Sequence, residues 1–198
     1  MRLRDNSGGI FTELLVKKKS PEVVLRQSFY PSPRMMTMVG QELIRSIRGD
    51  HSNKIMVRVR NGRLIPYMVA NGQYPYGLLK EKSPDGTDYI PLEKATKNVR
   101  KYEKGISHDR ILMETGKHLY SGLKIIKQTS GARGRQEVII GWTGEDAEIA
   151  LIQHNGDPDN YIEFRGQEYD APIPPRPFIG IQQKFKLMFA KMYRNYFR

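Results

Sequence analysis

Residues 137–142 have the sequence EVIIGW, whose apolar run Val138-Ile139-Ile140 predicts a buried strand. Residues 55–60, IMVRVR, alternate apolar and basic side chains, which is typical of a strand with one buried face. The dipeptide Asn61-Gly62 follows directly and favours a tight turn. Short strands that end in tight turns indicate a small antiparallel sheet.

Helical patterns flank these strands. Residues 34–48 place apolar side chains near helical spacing, and residues 92–104 form a charged helix candidate that ends before Gly105. A final amphipathic helix is predicted after the proline-rich residues 173–177. Its apolar stripe consists of Ile181, Phe185, Met188, Phe189, Met192 and Tyr196. The predicted class is therefore α+β, a small antiparallel sheet with flanking helices and a C-terminal amphipathic helix.

Part of this pattern occurs twice in the chain. Residues 34–40 (RMMTMVG) align with 110–116 (RILMETG), and residues 65–72 (IPYMVANG) align with 149–156 (IALIQHNG). Either the chain is a degenerate duplication or these are chance similarities of amphipathic segments. On the first interpretation, residues 1–83 are a copy of the α+β unit in residues 84–198.

Composition excludes several classes of protein. The 198 residues contain no cysteine, which excludes disulfides, Cys-ligated zinc, iron–sulfur clusters and thiol catalysis. No apolar run approaches the roughly 18 residues of a membrane span. The first residues lack a secretory signal, so we expect assembly in the cytoplasm. The formal charge of +12 suggests a polyanionic partner.

Charge is segregated along the chain. Residues 137–170 hold nine acidic residues and one basic residue, a net −8, whereas residues 171–198 hold six Lys or Arg and no acid. This is either a solvated face beside a basic tail or a self-complementary pair of surfaces in a head-to-tail oligomer. In the second case Glu145, Asp146 and Glu148 of one copy would meet Lys184 of the next.

Two basic clusters are candidate DNA contacts. They are Lys17, Lys18 and Lys19, and Arg133 with Arg135. Neither is regularly interleaved with aromatic residues, so they predict at most sequence-independent phosphate contacts. Solvated loops are the alternative.

Motifs for catalysis or metal binding are incomplete. Residues 105–109 (GISHD) are contiguous and cannot form a catalytic relay, and residues 157–168 lack the glycine of a calcium loop. The four histidines have no metal-ligand spacing, and His154 is expected to be a packed or interface residue. We therefore expect a protein without catalytic residues, metal or cofactor.

An ordered series of segments begins at Pro84. These segments are 84–92 (PDGTDYIPL), 111–116 (ILMETG), 138–141 (VIIG), 149–156 (IALIQHNG) and 173–180 (IPPRPFIG). The series, which covers about half the chain, resembles the phage virion-morphogenesis family, the tail-completion or neck proteins of tailed bacteriophages. The proline-arginine-proline-phenylalanine segment is its most specific part.

The resemblance implies a non-enzymatic α+β subunit of the virion. Such subunits form a ring, often a hexamer, between the head connector and the tail tube or terminator. A tail-terminator ring subunit, or a basic DNA-binding accessory protein, is the alternative function. Non-specific contact with packaged DNA would be compatible with the basic clusters, and no membrane partner is expected.

The proline-rich segment is the predicted subunit interface. Pro174, Pro175 and Pro177 hold the backbone extended, so Arg176 and Phe178 would lose little entropy on docking. Arginine offers a rigid donor fork to carboxylates of a neighbouring subunit. The alternative is that Phe178 anchors the final helix to the core of its own chain.

Overall fold

The structure, a computed structural model, describes residues 2–5, 10–17, 20–27, 33–51, 55–58, 64–68, 72–103, 111–112, 117–130 and 136–188. Its strands are β1 (Arg2–Asp5), β2 (Ile10–Lys17), β3 (Ser20–Gln27), β4 (Ile55–Arg58), β5 (Leu64–Met68), β6 (Lys124–Ser130), β7 (Gln136–Gly141), β8 (Tyr161–Phe164) and β9 (Gln167–Asp170). The α-helices are α1 (Pro33–Arg48), α2 (Lys94–Asn98) and α3 (Glu145–Asn155). A 3₁₀ turn spans Leu78–Lys80, π-helical turns span Val99–Glu103 and Lys117–Ser121, and residues 183–188 are helical.

The main sheet is antiparallel, with the strand order β1-β2-β3-β7-β6. Strand β7 is the predicted strand at 137–142, and it pairs with β3 on one side and β6 on the other. Its Val138 and Ile140 are fully buried, because alternate residues of a strand face the same side. The hairpins β4–β5 and β8–β9 form separate two-stranded sheets. The predicted α+β class is confirmed.

Helix α1 packs against β6 and β7. The buried residues Met36, Val39, Leu43 and Ile47 recur every three or four positions and form the apolar stripe of the helix. Val39, Leu43 and Ile47 are predicted from the sequence, whereas the buried position before them is Met36, and Met38 is only partly buried. Gly49 ends the helix with φ +79°, and the N–H of Asp50 donates to the carbonyl of Arg45 at 2.9 Å. This is a Schellman cap, for which glycine is favoured because it adopts positive φ without steric cost.

A buried carboxylate ties α1 to the loop that follows β5. Glu42 is fully buried, and its Oε1 accepts a hydrogen bond from the Tyr74 hydroxyl at 2.9 Å. Arg45 Nη1 lies 3.3 Å from the other oxygen. Burial, and then the charge of Glu42, raise the pKa of Tyr74. A buried carboxylate is stable only with such partners, so this network fixes the loop on the helix.

Buried side chains from both halves of the chain form one contiguous cluster. Its members include Val23, Met36, Val39, Leu43, Ile47, Tyr74, Leu78, Leu119, Leu123, Val138, Ile140, Trp142, Ala147, Ala150, Phe178, Ile179 and Phe185. Trp142 Nε1 donates to the carbonyl of Leu119 at 2.9 Å, which satisfies its polar atom inside this cluster. Residues before and after position 84 therefore share one sheet and one core.

The proposed alignment of residues 65–72 with 149–156 is wrong. Residues 64–68 are strand β5, whereas residues 149–155 lie within helix α3. Short apolar segments of this kind are compatible with either conformation, and tertiary packing selects between them. The predicted helix at 92–104 consists of α2 and the π-helical turn after it; residues 92 and 93 precede the helix, and residue 104 lies outside the described residues.

Candidate subunit interface

The proline-rich segment is attached along the C-terminal end of α3 and the loop after it. Asp157 and Ile173 exchange two backbone hydrogen bonds of 2.8 Å. Asn160 accepts from the N–H of Ala171 at 2.9 Å and donates through Nδ2 to the carbonyl of Ala171 at 2.7 Å. These bonds hold an extended segment that lies outside the sheets formed by the described residues.

Gly156 lets the segment cross the end of α3 at close range. Its φ is +82°, and a Cβ placed there would lie 2.6 Å from the carbonyl oxygen of Ile173. Any side chain would therefore displace the segment as well as strain the backbone. The Asn155-Gly156 turn signal thus marks the contact between the helix and the segment.

Arg176 is buried in its own chain, with 3% of its surface exposed. Its N–H donates to the carbonyl of Gln153 at 3.1 Å, and its Nη1 donates to Gln153 Oε1 at 3.0 Å. Burial, and then repulsion from Arg100, lower the pKa of this guanidinium. Gln153 therefore holds Arg176 through both backbone and side chain.

Phe178 belongs to the core, with no exposed surface. Its ring meets Trp142 edge-on at 5.4 Å between centroids and His154 edge-on at 5.3 Å. The structure thus favours the alternative to an interface role, since Phe178 packs in the core of its own chain just before the final helix. Pro175 and Pro177 are exposed, because successive residues of an extended chain point in opposite directions.

His154 is a packed residue next to Phe178. It is buried, and its Nδ1 has no hydrogen-bond partner among the described residues. Burial lowers the pKa of this imidazole, because desolvation penalises the charged form. The neutral ring is therefore the form that this site favours.

The charged residues proposed for the subunit interface differ in their exposure and in their contacts within the chain. Glu145 and Glu148 are exposed on the first turn of α3. Negative side chains at this position stabilise a helix, because they interact with the positive end of its dipole. Asp146 Oδ1 lies 2.7 Å from Nδ1 of His118. Lys184 Nζ lies 3.4 Å from the carbonyl oxygen of Gln73, to which it donates, and 5.4 Å from the ring centre of Tyr74. Glu145 and Glu148 are thus the most accessible of these candidates.

The family model of the phage virion morphogenesis family matches residues 78–198. The chain belongs to this family. The match contains α2, the strands β6 and β7, α3 and the proline-rich segment. The resemblance inferred from residue 84 onward is confirmed, and membership assigns the chain a role in phage virion assembly. No curated protein and no solved structure matches.

The DNA-contact candidates of this virion morphogenesis protein are only partly described. Lys18, Lys19, Arg133 and Arg135 lie outside the described residues, as do residues 105–109. Lys17 ends β2 opposite Ser20, the first residue of β3, whereas Ser130 ends β6 opposite Gln136, which pairs with Gln27 at the other end of β3. These two strand ends are separated by the length of β3, roughly 23 Å at about 3.3 Å per residue.

Two residues that line the proline-rich segment were not predicted from sequence. Gln153 holds Arg176, and Arg100 reaches the same region from the π-helical turn after α2. Arg100 lies within a charged stretch, so no sequence pattern separates it from its exposed neighbours. Within the part of the chain that the structure describes, no group of three or more His, Cys, Asp or Glu side chains could hold a metal ion. No helix among the described residues is long and apolar enough to cross a membrane.

Removing the Phe178 ring should destabilise the fold of the subunit. We expect Phe178→Ala to lower the free energy of unfolding by about 3–5 kcal/mol, the usual cost of a cavity of this size. Leu187→Ala is the matched control, because 63% of Leu187 is exposed, and it should change stability by less than about 0.5 kcal/mol. Urea denaturation measures both. Equal stability of the two variants, with self-association lost only in Phe178→Ala, would instead make Phe178 an interface residue.

Burial of neutral His154 makes the stability of the fold depend on pH. The unfolded chain binds a proton at this residue near the ordinary pKa of 6.5, whereas the folded chain binds it only at lower pH. The contribution of neutral His154 to the free energy of unfolding is complete above pH 6.5. It falls as the pH drops towards the pKa of His154 in the folded chain, by at most about 1.4 kcal/mol per pH unit. His154→Gln should remove this slope in denaturation curves between pH 7 and 5, whereas His51→Gln, at an exposed position, should keep it. An unchanged slope in His154→Gln would contradict the assignment.

Proposed function

We propose that this chain is a structural subunit of a neck or tail-completion ring that joins the head connector of a bacteriophage to its tail. The observation that carries the proposal is the match to the phage virion morphogenesis family over residues 78–198. A subunit at this position would contact the connector above, the tail tube or terminator protein below and copies of itself at the sides. Its site of action would be the virion neck.

Segregated charge supports a ring of copies. Glu145 and Glu148 are exposed on α3, and every residue of β9, including Glu168 and Asp170, is exposed. Lys186 is exposed on the helical residues 183–188, in the stretch from residue 171 that holds no acid. Two different complementary surfaces on one subunit produce a head-to-tail contact, and a closed set of such contacts is a ring. We propose a hexamer.

The proline-rich segment supports a rigid contact surface. Its inward residues Arg176 and Phe178 are fixed to the core, so the exposed Pro175 and Pro177 are held in one conformation. A partner that docks on these prolines orders little additional chain, which reduces the entropy cost of association. The segment would thus act through its prolines, while Arg176 and Phe178 hold it in place.

The position in the particle can be tested directly. Virions that carry this chain, labelled with a specific antibody fragment, should show the label at the joint between head and tail in electron micrographs. An antibody fragment against the major tail protein is the control and should decorate the whole tail. Label along the tail, at its distal tip or on the capsid would contradict a neck subunit.

The ring itself should depend on salt and on charge. Mass photometry should show a closed oligomer that dissociates between 0.15 and 1 M salt, since the Debye length falls from about 8 to about 3 Å. Lys186→Glu should weaken assembly, and adding Glu145→Lys and Glu148→Lys should restore part of it. Lys101→Glu, another exposed lysine, is the control and should assemble normally. Circular dichroism should show that all variants stay folded.

Assembly that ignores salt, together with no rescue by the triple variant, would show that the segregated charges do not join copies of this chain. If the protein is a monomer under all conditions, the proposed ring is contradicted. The proposed position in the neck would still be tested by the labelling experiment.

A further inference from the structure

Helix α3 has one buried side and one exposed side. Its buried residues are Ala147, Ala150 and His154. Its exposed residues recur at intervals of three or four positions, which places them on one stripe along the opposite side of the helix; they are Glu145, Glu148, Ile152 and Asn155. The buried side packs within the chain, so this exposed stripe is the side of α3 that another protein can reach.

Ile152 is the large apolar residue of the exposed stripe, and 40% of it is accessible. Single exposed apolar side chains are common in proteins, so exposure alone does not mark a contact. Ile152, however, directly precedes Gln153, whose carbonyl accepts the N–H of Arg176 at 3.1 Å. The exposed Pro175 lies beside the same end of the helix, because its nitrogen is 2.8 Å from the position of a Cβ on Gly156. The exposed stripe therefore ends next to the rigid proline-rich segment.

The helical residues 183–188 have a comparable exposed side. Phe185 and Met188 are buried, and the exposed residues are Gln183, Lys186 and Leu187. Helical spacing places these three on one side, opposite the apolar stripe that attaches the helix to the core. Leu187 is 63% exposed, more than any other large apolar side chain that the structure describes. An aliphatic residue thus lies on the outward, otherwise polar side of this helix.

The charges beside these two apolar residues are opposite in sign. Glu145 and Glu148 lie on the same exposed stripe as Ile152. Lys186 directly precedes Leu187, in the part of the chain after residue 170 that holds no acid. Their attraction follows from the net charge around each apolar residue, so it does not require any single lysine to be unpaired. The surface around Ile152 is thus complementary in charge to the surface around Leu187.

Half-buried neighbours keep these signs. Asp146 adds a third carboxylate to the first turn of α3, and its Oδ1 lies 2.7 Å from Nδ1 of His118. Even when a protonated His118 neutralises Asp146, the exposed Glu145 and Glu148 leave this turn negative. Lys184 adds a second lysine to residues 183–188, which contain no acid.

We propose that the exposed stripe of α3 is the docking site for the outward side of residues 183–188 of a second copy, with Leu187 of that copy against Ile152. This site rests on the proposed ring, since it names the two surfaces through which neighbouring copies meet. The surfaces differ from each other, so the contact is head-to-tail. An apolar centre with a charged rim is the usual organisation of a protein interface. The charges orient the copies, and the two aliphatic side chains exclude water between them.

The chain contains no cysteine, which allows a direct test by disulfide cross-linking. Ile152→Cys and Leu187→Cys are prepared as separate proteins, mixed and oxidised. A disulfide requires the two Cβ atoms to lie within about 4.5 Å, so it reports side chains that meet. The mixture should give a covalent dimer on a denaturing gel, whereas each variant alone should stay largely monomeric. Ile90→Cys, at a position that is 56% exposed, is the control and should not cross-link to Leu187→Cys.

A single chain with both cysteine substitutions separates the docking site from the ring. Head-to-tail contacts should give a ladder of covalent oligomers that ends at the size of the ring, whereas a symmetric dimer would end the ladder at two chains. A ladder up to a closed ring supports both proposals. A ladder that stops at the dimer supports the contact between Ile152 and Leu187 and contradicts the ring.

Shortening either apolar side chain should weaken self-association. Ile152→Ala and Leu187→Ala should each weaken it about tenfold in mass photometry, because each removes one half of the same apolar contact. The double variant should be little weaker than either single variant, since residues that touch each other do not act additively. Ile90→Ala shortens another exposed isoleucine and should associate normally. All three positions are exposed, so circular dichroism should show folded variants.

A closed ring in which Ile152→Cys and Leu187→Cys fail to cross-link, and in which Ile152→Ala assembles normally, would overturn this docking site and leave the proposed ring intact. Efficient cross-linking of Leu187→Cys with itself would also overturn it, because the same side of the helix would then face its own copy. A protein that is monomeric at every salt concentration would contradict the docking site and the ring together.

Discussion

Burial of Phe178 is the contact on which the rest of the structure depends. Trp142 directly follows β7, and His154 lies in the last turn of α3, so one ring joins the central strand, a helix and the C-terminal segment. Edge-on aromatic pairs add about 0.5–1.5 kcal/mol each to the free energy of burial. Without this ring the proline-rich segment would lose both aromatic contacts, although the hydrogen bonds at Ala171, Ile173 and Arg176 would remain. The packing of three elements on one side chain thus fixes where the segment runs.

Because the Phe178 side chain is buried, the orientations of the neighbouring side chains in the segment are also fixed. Arg176 points inward two residues earlier and binds Gln153, whereas Pro175 and Pro177 point to the surface. One extended stretch therefore has two chemically different sides. The inner side carries a buried cation, and the outer side is a rigid apolar edge suited to contact with another virion protein.

Membership in the phage virion morphogenesis family gives these features a common context. A subunit that must fit between other proteins needs surfaces that keep their shape before assembly, and the anchored prolines meet this need. In the proposed ring, the exposed acids on α3 and the acid-free stretch after residue 170 would add long-range attraction between copies, which influences association more than folding. The rigid edge and the segregated charge are thus compatible with one proposed role in the neck.

The sequence by itself determined the elements whose patterns are local. The apolar stripe of α1, the β-branched run of β7 and the ordered motifs of the family each depend on neighbouring residues, so they can be recognised without tertiary structure. Only the tertiary structure decided which side of residues 174–178 faces inward, because an extended segment alternates its side chains and nothing in PPRPF fixes which alternate set is buried. For the same reason residues 65–72 and 149–156 look alike in sequence, yet residues 65–68 lie in strand β5 and residues 149–155 lie in helix α3, since short apolar segments adopt the conformation that their packing partners stabilise. Arg100 and Gln153 were missed because their importance depends on which chain segment lies across them, and that is set by the burial of Phe178 rather than by local sequence.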